Sequence, residues 1–343
     1  MQSPTDTQPR SHLLPLTLLL LACYFILRLP NLRDMPPFTD ETTYTRWAQI
    51  ILEDPLHHLF VSMEDAKLPL HYWLLALTRP LAADPILAGR LLSVLLGALT
   101  IPATLLFARE LWQLNPNAKS NPNLFPALLG ALLITNPLVA LNQRLALAEP
   151  LLLFEAVTVA WLSLRLARLI THDAPRPILL RATLLLSGAW TLLLITKQNS
   201  SYALWILPPT ALLIHSSKSQ FTTHLRRFLP LYTLATLLAL ALFIPVLFSD
   251  YTQDLHTRIF YKPIFQNHTT ISNWIIAKEN LITLVSPRSD LHAQWWPHDP
   301  THPLEEGWFY LYLTPPLFFL APIGLLWMAH RRQWQPLLFV SIW

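Results

Sequence analysis

Phe38-Thr39-Asp40-Glu41-Thr42-Thr43-Tyr44 is the stretch on which the reading of this chain turns. It sets two adjacent carboxylates just past the first apolar run, Leu13 to Leu29, and ahead of many more apolar runs. The chain has 343 residues, of which 53% are hydrophobic and only 13% charged. Soluble domains carry roughly 25% charged residues. Several of the runs approach the length that crosses a bilayer, so the class is an all-α polytopic membrane protein. An acidic pair in such a chain lies near a membrane surface.

Working outward, the first span is Leu13 to Leu29, behind a tail of residues 1–12. Leu20-Leu21-Ala22-Cys23 loosely resembles a lipoprotein cleavage box, but the apolar run continues through Leu27, which favours a retained span. A polar outer loop, residues 30–85, follows. Further spans are expected at Ile86–Ala108, Leu124–Leu141, Pro150–Ile170, a run ending at Thr196, Tyr202–Ile214 and Phe228–Phe248. A second outer loop is 249–307, and residues 308–343 hold a span and the start of another apolar run. That makes about eight complete spans with a ninth begun.

Charge sets the expected orientation. Arg109, Arg165, Arg168, Arg176, Arg181, Arg226, Arg227, Arg331 and Arg332 fall on one side of the alternating spans, which the positive-inside rule makes cytoplasmic. Asp40, Glu41, Glu53, Glu149 and most other acids fall on the opposite side. The basic residues are scattered between apolar runs, so nucleic acid is not an expected partner. Cys23 is the single cysteine, which excludes an internal disulfide.

In the first outer loop, Pro36-Pro37 stops helix, and Thr39 is placed to cap a new one with Asp40 and Glu41 in its first turn. Asp40, Tyr44, Trp47 and Ile51 then share a face, which reads as an amphipathic helix along the membrane surface. Leu68 to Leu77 reads as a second interfacial helix.

Four elements that share the outer side could carry chemistry: Asp40/Glu41, Lys67, the segment Arg144 to Glu149, and Lys197. A carboxylate base with nearby cations suits removal of a hydroxyl proton and departure of a phosphate. Each also has a plainer reading. Asp40 and Glu41 can serve the helix end alone, Lys67 can snorkel, Arg144 can pair with Glu149, and Lys197 can be a topology charge. Arg90 and Glu155 fall inside spans and are expected to face protein, either as structural pairs or as site residues. His292, His298, Asp299, His302, Glu305 and Glu306 crowd the second outer loop, but Pro297, Pro300 and Pro303 forbid a helical ligand pair there. No phosphate-cradling glycine loop and no Asp-x-Asp is present.

In this ordered arrangement the chain resembles the GT-C membrane glycosyltransferases, in the branch of dolichyl-phosphate-mannose–protein mannosyltransferases and bacterial aminoarabinose transferases. The matching residues are Asp40-Glu41-x-x-Tyr44, Lys67-Leu68-Pro69-Leu70-x-Tyr72-Trp73, Gly89-Arg90-Leu91-Leu92-Ser93, Arg144 with Glu149-Pro150, and Thr196-Lys197. The likeness covers about Leu13 to Leu213. It implies a GT-C-like helical bundle in the plasma membrane with its active site on the extracytoplasmic face. The donor would be a polyprenyl-phosphate sugar, the acceptor a hydroxyl on protein, lipid or glycan, and the reaction inverting. Asp40 and Glu41 would be the catalytic acids. Tyr44, Lys67, Arg90, Arg144, Glu149 and Lys197 would bind substrate, with Lys67 and Lys197 beside the donor phosphate. No cofactor is fixed by the resemblance, since members differ in whether they use a divalent metal. The chain departs from the family at Leu68, often Pro, at Glu149, often Asp, and at Gln198, often Gly. It also stops inside an apolar run, as a fragment or an unusually short member would. The alternatives are a lipid or solute transporter without chemistry and a truncated, inactive homologue that binds lipid phosphate.

Overall fold

The structure is a computed structural model that describes residues 13–65, 67–114, 121–197, 205–216 and 219–247. The tail 1–12, the second outer loop with its histidines, and the spans beyond it lie outside the described residues. Those that are described form only helices and connections. In chain order they are α1 Leu13–Arg28, α2 Thr39–Glu53, α3 Pro55–His58, α4 Leu70–Thr78, α5 Pro85–Gln113, α6 Leu124–Thr135, α7 Pro137–Asn142, α8 Glu149–Thr171, α9 Arg176–Thr196, α10 Leu207–His215 and α11 Phe221–Leu247. Four of these, α5, α8, α9 and α11, are long and apolar enough to cross a membrane. The protein is therefore a helical membrane protein by composition and architecture.

α5 is the central column. It packs on α8, α6 and α1, while α8 also carries α9 and α10, and α9 packs on α11. Three apolar clusters hold this arrangement. Leu164, Leu166, Ile170, Leu186, Trp190 and Leu193 fill the space between α8 and α9. Leu20 and Tyr24 of α1 close against Val94, Ile101 and Leu105 of α5. Tyr44, Met63, Tyr72, Leu92 and Ala146 form a third cluster beneath α2 and α4. Between helices in lipid, such packing holds by dispersion and close fit, because lipid tails are as apolar as leucine.

Several expected boundaries move, each for a local reason. The third apolar run is not one helix: it breaks at Asn136-Pro137. Proline cannot continue a helix, and the Asn136 side chain accepts from Val139 N at 3.1 Å to start α7. Arg176 to Arg181 lies within α9, with Pro177 in the first turn where a missing N–H costs nothing. Thr39 is the first residue of α2 and not its cap. The cap is Phe38, whose N–H donates to Glu41 Oε2 at 2.9 Å. α4 starts at Leu70, two residues into the expected interfacial helix.

Gly89 marks the tightest approach. A Cβ there would fall 2.6 Å from Ala146 Cβ and 3.0 Å from Leu75 Cδ2. Any side chain would push the Arg144–Ala148 turn off α5, and that turn leads directly into Glu149.

Candidate functional site

The acidic pair is split by helix geometry. Adjacent residues on a helix point roughly 100° apart, so Asp40 and Glu41 cannot face the same surroundings. Glu41 is fully buried. Its Oε1 accepts from Arg90 Nε at 2.9 Å and from Ala146 N at 2.7 Å. Its Oε2 accepts from Arg90 Nη2 at 2.8 Å and from Phe38 N at 2.9 Å. Arg90, only 2% exposed, donates in addition to the carbonyls of Leu32, Met35 and Pro36. The planar guanidinium matches the carboxylate edge-on, as arginine forks do. The sequence reading grouped Glu41 with the catalytic acids and Arg90 with the substrate ligands. In the fold they bind one another, and together they pin α2, α5, the 32–36 segment and the turn before α8.

Asp40 faces the other way and is half-buried. Its Oδ2 accepts from Tyr44 Oη at 3.0 Å, one helical turn on. The Tyr44 ring stacks on Trp47 with centroids 5.7 Å apart, and meets Tyr72 edge-on at 5.1 Å. Lys67 Nζ lies 4.7 Å from the Tyr44 centroid and 5.6 Å from that of Trp47, a cation held over two aromatic rings. It also lies 3.3 Å from Asp65 Oδ2. Glu149, in the first turn of α8, pairs with Lys197 Nζ at 3.0 Å, where α9 ends.

These groups form one electrostatic unit. Burial, then the Asp40 carboxylate and its hydrogen bond, then the charge of Glu149, push the Tyr44 phenol above the ordinary phenol range. Burial first, then Tyr44, then Glu149 and Asp40, do the same to Tyr72. Both carboxylates thus act on the same two phenols, and the phenols stay protonated as donors. Among the described residues Asp40 accepts no hydrogen bond besides that of Tyr44, which leaves Oδ1 for another donor.

Arg144 does not join the group. Its Nη2 donates to Pro30 O at 2.6 Å, which ties the turn before α8 to the end of α1. It pairs with no acid among the described residues, so the expected Arg144–Glu149 pair is replaced by Lys197–Glu149. Arg28, at the end of α1, was not singled out from sequence. It is 3% exposed, donates to Ile134 O and Gln143 Oε1, and locks α1 against the α6–α7 break.

His71 was also not singled out, since it sits in an apolar run between Leu70 and Tyr72. It is fully buried, edge-on to Tyr44 at 5.9 Å. Neither ring nitrogen has a hydrogen-bond partner of good geometry, though the Ala146 backbone is near enough to raise its proton affinity slightly. Burial dominates and pushes its pKa down to about 4 from 6.5. The unfolded chain therefore takes up a proton between pH 6.5 and 4 that the folded chain refuses. The stability His71 lends is complete above pH 6.5 and falls by about 3 kcal/mol as pH drops towards 4. Melting temperature in neutral detergent should fall through this window, and His71→Asn should flatten that slope. An unchanged slope would remove His71 as the cause.

The Asp40 oxygen is bonded to Tyr44 and the Glu149 oxygen to Lys197, and no three His, Cys, Asp or Glu side chains cluster as ligands among the described residues.

No family model, no curated protein and no solved structure matches the chain.

Proposed function

We propose that the protein is an inverting glycosyltransferase with a GT-C-like fold, moving a sugar from a polyprenyl phosphate to a hydroxyl acceptor on the outer face of the plasma membrane. One observation carries the reading. A half-buried aspartate with one oxygen held by Tyr44 shares its electrostatic surroundings with Glu149, while Lys67 lies on the same aromatic shelf and Lys197 on Glu149. In the reaction, Asp40 takes the acceptor's O–H proton as the oxygen forms a bond to the anomeric carbon. The bond from that carbon to the phosphate oxygen breaks, and polyprenyl phosphate leaves with the electron pair. Lys67 and Lys197 supply positive charge to the departing phosphate. Tyr44 is a positioning residue that orients Asp40, and Trp47 with Tyr72 completes the shelf. Eight spans, with this site outermost, belong to the same proposal.

The test is transfer itself. Membranes containing the full chain, given radiolabelled polyprenyl-phosphate sugar and candidate acceptors, should yield labelled glycoside. Lys197→Ala should raise the KM for the donor about tenfold with a smaller effect on kcat, because a charge-assisted contact to phosphate is worth roughly 1.5–3 kcal/mol. An unaltered donor KM would remove Lys197 from the phosphate site. The transporter reading draws on one feature, the 2% exposed Glu155 within α8, bonded by Thr196 Oγ1 at 2.9 Å. Label that crosses sealed vesicles without chemical change would favour it.

A further inference from the structure

A groove lies at the same end of the bundle as Asp40, where the end of α1, the turn 31–34 and the first turns of α5 meet. Its volume is about 350 Å³. Leu29, Leu87 and Leu91 supply apolar lining, and Arg33 and Asp34 supply charge. The turn that carries the charges is fixed at three points. Asp34 N donates to Asn31 O at 3.2 Å, Arg90 Nη1 donates to Leu32 O at 2.8 Å, and Arg144 Nη2 donates to Pro30 O at 2.6 Å. Asn31 has a φ of 54°, in the left-handed region that asparagine tolerates better than most residues. Leu32 is turned into the core at 5% exposed, while Arg33 and Asp34 stay on the surface. Among the described residues neither of these two side chains has a hydrogen bond or an ion pair. A guanidinium and a carboxylate on neighbouring residues thus stand open beside three leucines, on backbone that is already held in place.

These surfaces together match a ligand that carries an anion, a cation and an apolar chain. The planar guanidinium fits phosphate oxygens, and a carboxylate accepts from an ammonium. Leucine side chains gain by covering alkyl chain. Depth agrees with such a ligand. α5 is long and apolar enough to cross a membrane, and Leu87 and Leu91 lie in its first two turns, at the level of lipid head groups. The volume is near the lower end of the roughly 300–1,000 Å³ of small-ligand sites, which suits a head group and the start of its chains. A purely anionic lipid would set its charge on Arg33 and leave Asp34 beside it without a partner. Because the turn is fixed beforehand, little order has to be imposed on binding.

We propose that this groove binds a zwitterionic phospholipid of the phosphatidylethanolamine type, with its phosphate on Arg33, its ammonium on Asp34 and the start of its chains along Leu29, Leu87 and Leu91. The inference does not depend on the glycosyltransferase reading, because none of these residues takes part in it.

The test uses the full chain in neutral detergent and titration calorimetry with three probes: dioctanoyl phosphatidylethanolamine, dioctanoyl phosphatidylglycerol and chain-free phosphoethanolamine. Saturable binding of phosphatidylethanolamine is expected. Phosphatidylglycerol, which has no ammonium, and phosphoethanolamine, which has no chains, should each bind at least about tenfold more weakly. Arg33→Gln should weaken phosphatidylethanolamine about tenfold, the loss of one charge-assisted contact. Asp34→Asn should bring the two lipids to similar affinity, an exchange of selectivity that a merely structural role would not produce. Both side chains are exposed and unbonded among the described residues, so the melting temperature should stay unchanged. Arg165→Gln, which removes the same charge near the far end of α8, should leave the affinity as it was. The proposal is overturned if phosphatidylethanolamine does not bind saturably, or if either other probe binds as tightly. It is equally overturned if Arg33→Gln leaves the affinity intact, if Asp34→Asn keeps the selectivity, or if Arg165→Gln weakens binding as much as Arg33→Gln.

Discussion

Arg90→Leu is expected to cost about 3–5 kcal/mol of stability, the usual result of removing one partner from a buried ion pair. Few folded proteins hold more than roughly 5–15 kcal/mol, so most of the chain should be lost to degradation or aggregation at growth temperature. The reason is local and complete. Without the guanidinium, Glu41 stays fully buried with only two backbone donors, Ala146 N and Phe38 N. The carbonyls of Leu32, Met35 and Pro36 lose their donor at the same time. The damage should be partly reversible by a second change. Arg90→Leu with Glu41→Leu removes the orphaned charge, so the pair should be less harmful than the sum of the single substitutions. Thermal unfolding in detergent of the four members of this cycle measures it. If the double variant were as unstable as that sum, Glu41 and Arg90 would not act as a unit.

How far the sequence could be read depends on which physical signal each feature leaves. The long apolar runs that became α5, α8 and α9 were plain, because twenty or so apolar residues bounded by charge have few other uses. The break at Asn136-Pro137 was legible in principle, as the dipeptide carries both a cap and a helix stop. It was overridden by the apolar residues on either side. Phe221 to Arg227 joined α11 although it is polar, since hydropathy sees lipid-facing residues and not the aqueous turns that extend a helix. Within the site, the types at Asp40, Lys67, Glu149 and Lys197 pointed to one membrane surface. Their sorting did not. Whether Asp40 or Glu41 turns inward depends on where α2 rotates against α5, a tertiary choice set by Arg90, which lies 49 residues further on. Arg90 itself read equally as a structural or a binding residue, because an intramembrane arginine needs a partner and the sequence does not say which. His71 left no signal, since one imidazole in an apolar helix looks like any other half-polar position.

Asp40→Asn is expected to lower transfer of sugar from a polyprenyl phosphate by about 10²–10⁴-fold, the usual contribution of a general base. The fold should survive it. Asp40 is half-buried, its described hydrogen bond comes from Tyr44 Oη, and the asparagine carbonyl can accept that bond in the same place. The change therefore removes the charge and the proton acceptor while keeping the shape. Its neighbour supplies the contrast. Glu41→Gln removes a charge from inside the protein, where it meets Arg90, and should reduce the yield of folded chain before any effect on turnover can be measured. Two adjacent carboxylates, one substitution each, should thus fail in different ways: one as an enzyme, the other as a fold. Tyr44→Phe separates positioning from chemistry. With the ring kept, Lys67 still has its aromatic shelf, but Asp40 loses the donor that orients it. Transfer should fall by about tenfold, the worth of one hydrogen bond to a charged group, and less than in Asp40→Asn. Rates are compared at equal folded protein, with melting temperature as the check. Normal transfer by a well-folded Asp40→Asn would strip Asp40 of the base role and move it to Glu149, the other carboxylate that acts on Tyr44 and Tyr72.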